Sequence, residues 1–64
     1  MILTETQELL MDGLRVFKVE KDLIMGIMLM LPEEEKQVQL MDWMTRNEGA
    51  NPQTILQKAT ELAN

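Results

Sequence analysis

Cysteine, histidine, serine and tyrosine are all missing from this chain of 64 residues. Without Cys there is no disulfide, no thiolate metal site and no thiol redox chemistry, and without His the usual zinc-ligand sets lose their other member. The same absences remove the common nucleophiles and the side chain that titrates nearest physiological pH. Asp, Glu, Lys and Thr remain. Glu5 and Glu8 stand three residues apart, a spacing that a solvated helix face explains without any acid–base role. The three glycines, Gly13, Gly26 and Gly49, match no phosphate-binding pattern. No enzyme activity is expected, and neither a cofactor, a metal nor a small-molecule ligand.

Positive charge is scarce too. Six Lys and Arg stand against eleven Asp and Glu, a net charge of -5, which is the wrong sign for a protein that neutralises phosphates. Nucleic acid is therefore not an expected partner. Arg15, Lys18 and Lys21 would line one side of a helix, yet Asp12 and Asp22 lie within reach and make that side a locally neutralised, wet face. No apolar run approaches the roughly 18 residues of a membrane span. The start MILTETQELL carries an acid at Glu5 and no basic stretch, unlike a secretory leader. The expectation is a soluble, cytoplasmic protein without a membrane partner, forming a single helical domain over residues 1–64.

What is present is helical patterning, in four segments and with no strand. Thr4 and Gln7 can form a capping box, after which Leu3, Leu10, Leu14 and Phe17 share one stripe of a helix running to about Lys18. Val19 to Lys21 is the expected joint. A single bent helix over 5–31 competes with it, because heptad-like spacing continues through the joint and no Pro or Gly enforces a break. Pro32 marks the clearest boundary and suits the first position of a third helix, with Glu33, Glu34 and Glu35 in its first turn, where the helix dipole favours them. Val38, Leu40, Met41, Trp43 and Met44 give this helix a broad apolar arc, Asp42 and Arg46 form an i, i+4 pair on its wet side, and Glu48-Gly49 is expected to end it with a glycine cap. Asn51-Pro52 starts a fourth helix, whose stripe is Ile55, Leu56, Ala59, Leu62 and Ala63. Short connections predict that helices adjacent in sequence pack as neighbours.

The stretch DLIMGIMLMLP, residues 22–32, dominates the functional reading. From Leu23 to Leu31 no side chain is polar, and a helix that is apolar all round requires burial all round. Such a helix could be the centre of the bundle. Three other short helices have difficulty closing a ring about it, and leaving a third of these side chains in water would forfeit about 5–8 kcal/mol, against the ~3–5 kcal/mol that a core of this size supplies. A partner is therefore expected, and a second copy is the simplest one, since symmetric homodimers are the commonest oligomers. Gly26 fits either the close approach of another backbone or the space beneath Trp43 or Phe17. Methionines serve equally as core filler and as adaptable contacts, and Trp43 as core or as a binding anchor.

The resulting expectation is an all-α bundle of four short helices, homodimeric through helix 22–31 and the flanking faces of the first and third helices. It would work as an accessory or regulatory protein-interaction module, with Met25, Met28, Met30 and Trp43 as contacts and possible docking to another protein. An acidic inhibitor that mimics nucleic acid with Glu33, Glu34, Glu35, Asp42 and Glu48 is the alternative. A helix-turn-helix DNA reader is a distant third, because the last two helices carry few cations.

Overall fold

The structure, a computed structural model, describes residues 3–64. Four helices and no strand make up this part of the chain: α1 (Glu5–Val16), α2 (Lys21–Met30), α3 (Glu34–Arg46) and α4 (Pro52–Ala63). At α1 the capping box forms as its residues predict. The Thr4 hydroxyl accepts from the Gln7 backbone N–H at 3.1 Å, and the Gln7 side-chain oxygen accepts from the Thr4 N–H at 2.9 Å. Leu3 lies outside the helix and is partly exposed.

Between α1 and α2 the chain breaks with neither Pro nor Gly. Phe17 is the C-cap, and Lys18 takes a left-handed conformation at φ 64°. The Lys18 N–H then donates to the Arg15 carbonyl at 2.9 Å and the Val19 N–H to the Leu14 carbonyl at 3.0 Å. This is the Schellman pattern that usually has glycine where Lys18 stands, and its customary apolar contact is supplied by Val19 and Leu14, both buried. The reversal fixes where α2 begins and excludes a continuous helix over 5–31.

Two expected boundaries are corrected. Pro32 is not the first residue of α3, which starts at Glu34 with Glu33 as its N-cap. Leu31, at φ -120° and ψ 70°, has left the helical region as a residue preceding Pro tends to do, and two residues of connection follow it. Nor does Gly49 cap α3: the helix ends at Asn47, whose side-chain amide donates to the Trp43 carbonyl at 2.8 Å, and no described glycine has a positive φ. At α4 the Asn51 side chain accepts from the Thr54 N–H at 2.8 Å and Pro52 occupies the first turn, as read from sequence.

The helices form a four-membered ring in which α1 touches α2 and α3, while α4 touches α3 and α2. The backbones of the diagonal pairs do not approach one another closely. So α2 and α3, adjacent in sequence, sit across the bundle from one another, contrary to the neighbour expectation. A buried amide nevertheless links them: Gln37, 1% exposed, donates from Nε2 to the Leu31 carbonyl at 2.7 Å. The core is assembled from Leu10 and Leu14 of α1, Ile24 and Ile27 of α2, Leu40 and Met44 of α3, and Ile55 and Ala59 of α4, with Val19 and Leu31 closing the joints. Consequently α2 is a member of the ring and not its centre. No helix among the described residues is long and apolar enough to cross a membrane.

Candidate functional site

Helix α2 spends its apolar residues on two opposite sides. Ile24, Ile27 and Leu31 follow i, i+3, i+7 spacing and face the core, all less than 5% exposed. Met25 and Leu29, four residues apart, fall on the opposite side and are 56% and 80% exposed. Leu23, Met28 and Met30 are half-buried along the flanks. Met30 belongs to the α4 side, where the Thr60 hydroxyl lies 4.0 Å from its sulfur. At Gly26 a Cβ would meet no atom within 4 Å, which removes the reading that it fits beneath Trp43 or Phe17. The flank of α2 at this point is open.

Towards α1 this face continues into a cleft of about 500 Å³ lined by Met11, Arg15, Val19, Lys21, Ile24 and Met25. The flanking helices of α2 are therefore α1 and α4, and α3 does not extend the surface. Trp43 stands apart from it. Its side chain lines a small crevice between α3 and α4 with Asp42, Arg46, Lys58 and Leu62, so Met25, Met28 and Met30 share a helix whereas Trp43 belongs to another side of the molecule.

A second apolar surface lies between α1 and α3. Leu9 and Val16, 55% and 78% exposed, edge an open groove of about 700 Å³ that Gly13, Met41, Met44 and Thr45 floor, with Lys18 and Glu48 at its margin. The close approach at Gly13, where a Cβ would lie 3.4 Å from the Met44 methyl, brings the two helices together there.

The acids named from sequence do not converge on one surface. Glu33 occupies the N-cap position of α3 without a side-chain capping bond and lies 3.7 Å from Lys36; Glu34 and Glu35 follow in the first turn; Asp42 pairs with Arg46 at 2.8 Å; Glu48 sits in the α3–α4 connection beside the α1/α3 groove. Three of the four ion pairs among the described residues are i, i+3 contacts within one segment and the fourth is i, i+4, so none ties one helix to another. No three acidic side chains of the described residues are placed to hold a metal ion.

One residue of this surface, Leu29, escaped the sequence reading, and another, Lys21, was read without its exposure. Leu29 was hidden inside a uniformly apolar run, although its i, i+4 spacing from Met25 and its opposition to Ile27 and Leu31 on a helical wheel carry the signal. Lys21 was read as part of a neutralised cationic face, yet among the described residues it has no ion-pair partner. Comparison with protein-family models, with curated proteins and with solved structures finds no match to this chain.

Proposed function

We propose that this chain is a non-enzymatic protein-interaction module that docks, through the outward face of α2, onto a second copy of itself. The observation that carries the reading is the exposure of Met25 and Leu29 on a helix that has no charged residue from Leu23 to Met30. At roughly 1.5–3 kcal/mol per aliphatic side chain removed from water, covering this pair on each of two copies is a sizeable gain for so small a protein. A two-fold axis lets one patch serve as both halves of the contact. The ten-residue helix is only about 15 Å long, so the interface belongs to the small class that associates in the micromolar range or weaker. An accessory or regulatory role, in which assembly is the output, follows from that reading.

The test is sedimentation equilibrium from micromolar to millimolar concentration on the full chain and on its Leu29→Asp variant. Leu29 is the better probe than half-buried Met28, because a charge at an 80% exposed position leaves the core intact. The wild-type chain is expected to reach dimer mass, and Leu29→Asp to stay monomeric with an unchanged helical circular-dichroism spectrum. A monomeric wild type at millimolar concentration removes the proposal.

A further inference from the structure

We propose that Met25 is a reversible oxidation site, at which conversion of its thioether to the sulfoxide undocks the α2 face and leaves the fold intact. This rests on the α2 docking proposal and adds its regulation. Two observations set Met25 apart from the other described methionines. It is 56% exposed, whereas Met11, Met28, Met30 and Met41 are half-buried and Met44 is 3% exposed. It is also the one described methionine that does not pack on the core, since the other five either belong to the buried cluster or lie against it. An oxidant arriving from water therefore meets one thioether whose chemical change leaves the core packing as it was.

The position of Met25 on α2 gives that change a consequence. It stands one turn before Leu29 on the outward side and edges the cleft of about 500 Å³ shared with α1, so an added oxygen falls within the docking surface. With a peroxide as oxidant the step balances. A sulfur lone pair attacks one peroxide oxygen, the S–O bond forms as the O–O bond breaks, and the departing hydroxide takes the proton of the transferred oxygen and leaves as water. Sulfur loses two electrons and the peroxide gains them. The net charge stays at -5, so polarity changes and long-range electrostatics does not. A sulfoxide oxygen is a hydrogen-bond acceptor, and Met25 and Leu29 of a second copy offer it no donor, so docking would bury it unsatisfied. Two-fold symmetry repeats that penalty at both copies. The coupling is reciprocal. Docking covers the sulfur, so oxidation proceeds through the free monomer, and the sulfoxide then holds the chain in that state.

The test treats the full chain with hydrogen peroxide, locates sulfoxides by peptide mass mapping and follows assembly by sedimentation equilibrium. Met25 sulfoxide is expected ahead of oxidation at the core methionines, with an unchanged helical circular-dichroism spectrum. The dimer dissociation constant should rise by about thirtyfold or more, and recover on adding the two methionine sulfoxide reductases, one for each sulfoxide epimer. The rate of Met25 oxidation should fall as chain concentration is raised through the dissociation constant, which a methionine uninvolved in assembly would not show. Met25→Leu removes the sulfur; whatever dissociation constant this variant starts from, the same peroxide dose should shift it by less than about twofold. A Met25→Leu chain that loses its dimer on treatment as the wild type does would assign the effect to another methionine and overturn the oxidation site. A wild-type chain that carries Met25 sulfoxide at an unchanged dissociation constant would overturn it too. In either case the α2 interface stands if Leu29→Asp abolishes the dimer. If Leu29→Asp leaves the dimer intact, both fall.

Discussion

At the scale of single residues, two positions carry a local cost, the backbone turn at Lys18 and the unpaired amide oxygen of Gln37. Lys18 is the only described non-glycine residue with a positive φ, and a residue with a Cβ gives up about 1–2 kcal/mol in that region. It is exposed and forms no ion pair among the described residues, so its side chain offsets little of this. Lys18→Gly is expected to stabilise the fold by about 0.5–1 kcal/mol, once the extra freedom of glycine in the unfolded chain is counted. Thermal unfolding would show a rise of several degrees, at about 4–8 °C per kcal/mol for a domain of this size; an unchanged midpoint would mean that the left-handed turn is not strained. Gln37 presents the opposite case. Its amide nitrogen holds the Leu31 carbonyl, whereas its Oε1 is buried without a hydrogen-bond partner. Gln37→Glu, nearly equal in volume, replaces the donor with a buried carboxylate oxygen facing that carbonyl. Urea unfolding at neutral pH should show a loss of about 3 kcal/mol or more; a midpoint within error of wild type would show that the amide is not the link between α2 and α3.

At the scale of elements, the signals that proved legible are local ones. The Thr4 and Gln7 capping box, the Asn51-Pro52 start and the Asp42–Arg46 pair each join residues within one turn, so short spacing contains all the geometry they need. Where the reading went astray, a competing local interaction took over. Asn47 reaches back to the Trp43 carbonyl and ends α3 before Gly49 can, and a Schellman turn forms at Lys18 because Val19 can bury itself on Leu14. Helix α2 was legible as apolar, but not as two-faced, because hydropathy carries no contrast between Ile27 and Leu29. Gly26 supplies this element's prediction. With no atom within 4 Å of a Cβ, Gly26→Ala should stabilise the isolated fold by about 1 kcal/mol through helix propensity alone. In a dimer formed through α2 the added methyl stands on the open flank of the docking helix. The same variant should therefore unfold at higher urea concentration when dilute, yet dimerise more weakly than wild type; stronger dimerisation would place the close approach elsewhere on the helix.

At the scale of the whole molecule, ring order could not be read from the sequence. Short joints suggested that α2 and α3 would lie side by side, yet the two residues between Leu31 and Glu34 let α3 cross to the diagonal position, with Gln37 as tether. That placement decides which face of α2 is left open. It also sets the electrostatics of assembly, because surplus acid is spread over the other elements while the α2 strip is neutral. Two copies of charge -5, with centres about 20 Å apart as the shorter dimensions of 23 and 19 Å imply, repel one another at long range. Coulomb's law in water, damped over a Debye length of about 30 Å at 0.01 M salt and about 8 Å at 0.15 M, makes this repulsion weaker by roughly 2 kcal/mol at the higher salt. Dimerisation through α2 is therefore expected to tighten by about tenfold or more between 0.01 and 0.15 M salt, then to change little, as an apolar contact does. Sedimentation equilibrium across that range checks the sign. Association that instead weakens steeply as salt is added would mean that charge pairs, and not Met25 and Leu29, hold the copies together.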